Sequence, residues 1–259
     1  MRSSITKLFI ALFVVSAAWA CSPTRTATAS STAVEQEPER PSMVDDSAES
    51  EPSARSVLTA YVEALGGVEK LQSVNTLTTS LTGVIQGATI EQTFYQSGGT
   101  KFSSQTTMMG MTVADQRYNN GAAKVVQQGA EMTLDDDMIQ GMAEQARLFP
   151  EVEALQDLSG YSLEGTETID GEATYVVMRI TDLGNQKDYF SQETGLKVRT
   201  VVNASGQTQT INVSDYRSVG GIMFPHQMQL TGVAPFPVSM ETKEIKINEP
   251  IDESLFVID

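Results

Sequence analysis

Apolar and polar residues alternate along most of the chain in short runs separated by turn residues. Over 76–86, Leu77, Leu81 and Ile85 share one parity and Thr78, Ser80 and Thr82 the other. Over 89–96, Ile90 and Phe94 stand opposite Glu91, Thr93 and Tyr95, and further on Phe102 and Met108 share parity with Ser104 and Thr106. Near the C-terminus Phe224, Met228 and Leu230 face together, against Gln227 and Gln229. A period of two places successive side chains on opposite faces, so each run predicts a strand with one dry face. Turn signals recur at Gly87, Gly98-Gly99, Gly110, Asn120-Gly121, Gly160, Asp170-Gly171, Gly184-Asn185, Thr194-Gly195, Ser205-Gly206 and Gly220-Gly221. With further runs at 174–181, 197–203, 208–215 and 222–231, they predict an antiparallel meander of about ten or eleven strands. Strands alternating with helices are absent, which argues against a doubly wound parallel sheet.

Two segments follow a helical period instead. Over 56–65, Val57, Leu58, Tyr61, Val62 and Leu65 form one apolar stripe that Gly66-Gly67 ends. Val68-Glu69-Lys70-Leu71 can add one more turn. A second helix is expected over 136–148, with Asp135, Asp136 and Asp137 at its N-terminus, where free N–H groups and the dipole favour acids, and with Pro150 closing it. A calcium loop is the sharper reading of the three acids, but the alternating acids and glycine of such a loop are missing.

The dry face of the sheet needs a cover. A curled sheet of this size leaves room inside, and only two short helices are available to fill it. The candidate cavity residues are Leu81, Ile85, Phe94, Phe102, Met108, Met111, Phe224, Met228 and Leu230, and the candidate lid residues are Met138, Ile139 and Met142. Six of the twelve methionines, Met108, Met109, Met111, Met132, Met138 and Met142, fall within 35 residues. Methionine re-packs readily around variable apolar surfaces, which suits a lid and rim, and equally serves as filler in an ordinary core.

The chain opens differently. Arg2 and Lys7 precede an apolar run over 8–20, the pattern of a secretory signal too short to span a bilayer. Ala18-Trp19-Ala20 before Cys21 fits signal-peptidase cleavage, and the same residues resemble a lipobox with Ala18 where Leu is usual and a bulky Trp19. Lipidation of Cys21, the single cysteine, is the favoured reading, with a soluble periplasmic protein as the alternative. Residues 22–55 are rich in Ser, Thr, Ala, Pro and acid, without an aromatic, and read as a disordered tether. The expected organisation is a signal peptide over 1–20, a lipid-anchored tether over 21–55 and one folded domain over 56–259.

Charge and residue counts narrow the function classes. The 259 residues carry 33 Asp+Glu against 17 Lys+Arg, a formal net charge of −16, which repels nucleic acid. One cysteine excludes an intrachain disulfide and a cysteine-based zinc site. The single histidine, His226, sits among Phe224 and Met228 without an acidic partner in sequence and reads as structural. No Gly-x-Ser-x-Gly elbow is present, Gly160 to Gly165 having the wrong spacing, and no phosphate-binding glycine loop opens a helix. No cofactor, metal or catalytic residue is expected.

Three stretches carry a family resemblance: Tyr61-Val62-Glu63-Ala64-Leu65-Gly66-Gly67-Val68-Glu69-Lys70-Leu71, the hairpin Tyr216-Arg217-Ser218-Val219-Gly220-Gly221-Ile222-Met223-Phe224-Pro225-His226, and Pro250-Ile251-Asp252-Glu253-Ser254-Leu255-Phe256. In this order they resemble LolA/LolB-like proteins, often called outer membrane lipoprotein-sorting proteins, over residues 56–259. The resemblance implies a half-open β-barrel with a helical lid over a hydrophobic cavity. It also implies binding of acyl chains of a lipoprotein or lipid, as a carrier or an anchored acceptor, and a monomer is expected. Ser22 after Cys21 is not the aspartate of inner-membrane retention, so the outer membrane is favoured, with the periplasmic side of the envelope as the location. The competing readings are a structural or interaction protein with a filled core, and an enzyme on a lipid or glycan that uses cavity carboxylates.

Overall fold

The computed structural model describes residues 52–181, 184–204 and 206–258. The expected leader, Cys21 and the tether up to residue 51 lie outside the described residues. The strands are β1 (Thr76–Ile85), β2 (Ala88–Ser97), β3 (Lys101–Met108), β4 (Met111–Asn119), β5 (Ala122–Gln127), β6 (Ala130–Glu131), β7 (Tyr161–Ile169), β8 (Glu172–Thr181), β9 (Gly184–Ser191), β10 (Lys197–Ala204), β11 (Gln207–Val219), β12 (Ile222–Thr231) and β13 (Val238–Ile247). The helices are α1 (Ala54–Leu65), α2 (Val68–Gln72), α3 (Asp136–Ala146) and α4 (Pro150–Ala154), with a 3₁₀ turn at Glu253–Phe256.

All thirteen strands join one antiparallel sheet in the order β6-β5-β4-β3-β2-β1-β13-β12-β11-β10-β9-β8-β7. Strands consecutive in sequence pair in space, except β6 and β7, which lie at the two edges, and β13 returns to pair with β1. The sheet is an incomplete barrel with edges at β6 and β7, and the segment carrying α3 and α4 connects those edges.

The strand count exceeds the expected ten or eleven for local reasons. β6 has two residues, too few to leave an alternation. In β13 a register shift opposite Ser80 and Leu81 changes the inward parity. Val238, Met240 and Thr242 are buried before it, and Ile245 and Ile247 pack on the core after it. A reading of strict alternation breaks at such a position.

α1 starts at Ala54, two residues before the expected start. Ser53 and Ser56 form a reciprocal capping box that satisfies the first free N–H groups. Its stripe, Val57, Leu58, Tyr61, Val62 and Leu65, is buried against Val177, Phe190 and Ile222, and the Tyr61 and Phe190 ring centroids lie 5.0 Å apart. Each such side chain contributes roughly 1.5–3 kcal/mol, which fastens α1 to the sheet. Gly66, at φ 137°, ends α1, and a Cβ there would lie 2.7 Å from the Gly221 carbonyl oxygen. That approach seats the α1–α2 corner on the β11–β12 hairpin.

The second predicted helix is corrected at its end. α3 stops at Ala146, and Arg147 is extended. Pro150 does not close this helix. It opens α4 at the first helical position, where its missing N–H leaves no helical bond unmade.

Two buried clusters fill the ends of the curled sheet. One lies under α1, α2 and α4. The other joins Leu81, Ile85, Ile90, Val233, Val238 and Met240 at the end that carries the β1–β2 turn.

Candidate functional site

The register lays inward-facing side chains in rows across the sheet. Ile245, Thr79, Phe94, Ser104 and Gln116 form one row from β13 through β1, β2 and β3 to β4. The next row runs Thr242, Leu81, Gln92, Thr106 and Ala114. Between the two clusters these rows enclose a cavity of about 380 Å³. That is within the range of about 300–1,000 Å³ of small-molecule sites, at its lower end.

The cavity has two unlike walls. Phe224, Pro225, Met228, Leu230, Val238, Met240 and Ile245 form an apolar wall on β12 and β13, extended by Leu81 and Ile211. Gln92, Gln96, Ser104, Gln116 and, from α3, Gln145 form an amide-rich wall on the β2–β4 side. None of the lining residues is charged. In a chain with a net charge of −16, a charged group placed there would lose its hydration without a counter-charge.

α3 spans the open seam and contributes Gln145 to the cavity lining. Its Met142, 4% exposed, packs with Gly141 and Ala146 toward β3–β5. Gln96 Nε2 donates to the carbonyl oxygens of Gln145 at 2.7 Å and Arg147 at 3.0 Å, which satisfies orphan carbonyls at the end of α3. Across the seam, Arg179 on β8 donates to Glu144 at 2.8 Å. Arg147 binds the same Glu144 at 3.1 Å and also Glu153 on α4. Burial pushes the Glu144 carboxyl upward, but the hydrogen bonds and charge of Arg179 and Arg147 outweigh it and hold the group below its ordinary value.

Of the sequence-derived cavity residues, Leu81, Phe94, Phe224, Met228 and Leu230 line the cavity. Ile85 is buried in the core cluster next to it. Phe102 is buried and stacks on Phe94, with ring centroids 6.2 Å apart. Met108 is half-buried at the end of β3 and does not reach the lining. Met111 is corrected: it starts β4 at the hairpin tip and is 67% exposed, because the turn at Met109 and Gly110 carries it past the sheet that would cover it. Met138 and Ile139 are half-buried on α3, about two turns away from the cavity edge that Gln145 touches.

The glutamines went unnoticed in the sequence. Their signal was parity, since Gln92 and Gln96 share a face with Phe94. Asp135 caps α3 by accepting from the Met138 N–H at 2.8 Å. His226 Nδ1 lies 3.0 Å from the Phe224 carbonyl oxygen, a local contact to backbone.

A second polar cluster lies outside the cavity, beneath α1 and α4. Lys197 Nζ on β10 sits 2.9 Å from Glu151 on α4 and 3.4 Å from Asp188 on β9, over the rings of Tyr61 and Phe190. Burial alone would lower the Lys197 ammonium, yet Asp188 and Glu151 together hold it well above the usual lysine range. Burial likewise raises Glu151, and Lys197 more than reverses it. Burial pushes the Tyr216 phenol up to about 12, and its hydroxyl donates to the Lys197 carbonyl at 2.9 Å. Asp188 also accepts from Thr200 and Gln186. Its members are mutually satisfied, so this cluster clasps α4 to the sheet.

No protein-family model matches the sequence, and no curated protein matches it. Solved structures do. A LolA superfamily protein from Nitrosomonas europaea is similar with a TM-score of 0.52 at 13% identity, covering 80% of this chain and 98% of its own. A DUF1329 family protein from Desulfovibrio piger is similar with a TM-score of 0.51 at 11% identity, covering 79% of this chain and 97% of its own. At such identity the likeness is one of fold, and the chain has the LolA-type fold.

Proposed function

We propose that this protein is an acyl-chain holder of the bacterial cell envelope, which accepts the chain of a lipid or lipoprotein in its central cavity and does no chemistry on it. The observation that carries this reading is the uncharged, largely apolar hollow of about 380 Å³ under α3, left open by the chain's own side chains. The LolA-type fold supports it. Transfer of an acyl chain from one apolar site to another needs little net free energy, so a gated hollow suffices without a driving reaction.

The absence of an acid–base pair among the lining residues fits a holder rather than an enzyme. The apolar run at 8–20 before Cys21 supports export and attachment of the N-terminus to a membrane, and Ser22 in place of a retention aspartate favours the periplasmic side of the outer membrane. An anchored holder would act as an acceptor or local carrier.

The test is uptake of N-phenyl-1-naphthylamine, a neutral apolar fluorophore, by the purified protein. Binding with fluorescence enhancement is expected. Met228→Trp, which fills the apolar wall, is expected to abolish it while the protein still unfolds cooperatively. Unchanged uptake in Met228→Trp would remove the cavity as the binding site.

A further inference from the structure

We infer that the wall formed by Gln92, Ser104 and Gln116 binds the uncharged ester or amide group at the head of an acyl chain, so that the cavity prefers acyl esters and amides to free fatty acids. This rests on the acyl-chain reading above and adds the chemical class of the head group.

Gln116 is the pivotal residue. It is only 5% exposed, it lines the cavity, and its carboxamide has no hydrogen-bond partner among the described residues. Its polar atoms are not among those sealed in protein without a partner, so they open onto the cavity and are available to a guest. Ser104 stands directly opposite Gln116 on the neighbouring strand, with Cβ atoms about 4.5–5.5 Å apart in such pairs. Gln92 Nε2 donates to Ser104 Oγ at 3.2 Å, which uses one of the four hydrogen-bonding positions of that carboxamide. The three side chains therefore present amide N–H donors and carbonyl acceptors side by side, facing an apolar wall. An ester presents carbonyl and ether oxygens to such donors, and an amide adds an N–H for the acceptors.

The same wall rejects a carboxylate. No cation lines the cavity, and an ion moved there would lose its hydration without a counter-charge. Nearby cations are engaged elsewhere: Arg179 with Glu144, Lys197 with Glu151 and Asp188, and Lys101 with Glu253.

The experiment is displacement of N-phenyl-1-naphthylamine from the purified protein by 1-palmitoylglycerol, palmitamide and palmitate at pH 8. The glyceride and the amide are expected to displace the probe at about tenfold lower concentration than palmitate. Gln116→Leu and Gln92→Leu, which keep the wall filled, are expected to narrow that gap to about twofold or less, each displacement being referred to the variant's own affinity for the probe. The comparison of ligands on the unaltered protein decides even if a variant fails to fold. Palmitate displacing as well as the glyceride overturns the head-group inference and leaves the acyl-chain reading standing. Failure of the probe and of all three ligands to bind overturns both.

Discussion

The Glu144 carboxylate on α3 lies 2.8 Å from the Arg179 guanidinium on β8. The helix whose apolar face packs toward β3–β5 is thus tied by charge to the other side of the seam. Closure of the barrel at this point depends on a side-chain pair and not on strand pairing. Glu144→Gln keeps the shape and removes the ion pair. Because the pair is partly exposed, the cost to stability should be small, about 0.5–1 kcal/mol. Release of a bound fluorophore should nevertheless speed up by about threefold or more, since that energy is spent on the closed state alone. Stopped-flow dilution measures the rate, and hydrogen exchange over 136–146 reports the loosened helix.

Acid should loosen α3 and α4 before it unfolds the sheet. Glu144 and Glu151 have folded-state values below their ordinary ones. Their contribution is complete above the unfolded carboxylate value, about 4.3, and is lost as pH falls through the lower folded values. Lys197 has the opposite sign: its value is raised, so its contribution is complete below the unfolded value of about 10.4 and is lost as pH rises through the folded one. The melting temperature should form a plateau from about pH 5 to about pH 10 and fall on both sides. A melting temperature that holds down to pH 3 would contradict the pairing described.

Lys197→Met should be the most damaging single change outside the cavity. It leaves Glu151 and Asp188 facing each other, half-dehydrated and without their cation. Removal of one partner from a buried ionic cluster costs about 3–5 kcal/mol. Urea denaturation should show a loss of that size, and Glu151→Gln added to Lys197→Met should restore part of it by removing one stranded charge.

Met142→Glu tests the roof itself. The side chain is 4% exposed, and a carboxylate there has no place to go except solvent, which requires α3 to lift. Uptake of N-phenyl-1-naphthylamine should weaken by about tenfold or more while the strand signal in circular dichroism is retained. Uptake equal to that of the unaltered protein would show that α3 is not the cover.

The parity of Leu77, Leu81 and Ile85, of Ile90 and Phe94, and of Phe224, Met228 and Leu230 was enough to read the sheet and its dry face from the sequence. The stripe of α1 and the Asp135 cap of α3 were equally local and equally legible. What escaped depends on distant partners. The register shift in β13 hides Met240 and Ile245 from a period of two, because their parity changes within one strand. Gln92 and Gln116 look like solvent-facing residues until the curl of the sheet turns their face inward. Met111 shares the composition of the cavity region but lies at a hairpin tip, and composition does not record where a strand begins. The Glu144–Arg179 tie spans 35 residues of sequence and leaves no pattern at all.

Native mass spectrometry of the protein isolated gently from its own host tests the central claim most directly. The account predicts a population heavier than the polypeptide by the mass of one acyl-bearing guest, released by collisional activation and lost in Met228→Trp. A protein that carries no such guest from its host, and takes up none when offered acyl glycerides, would contradict it.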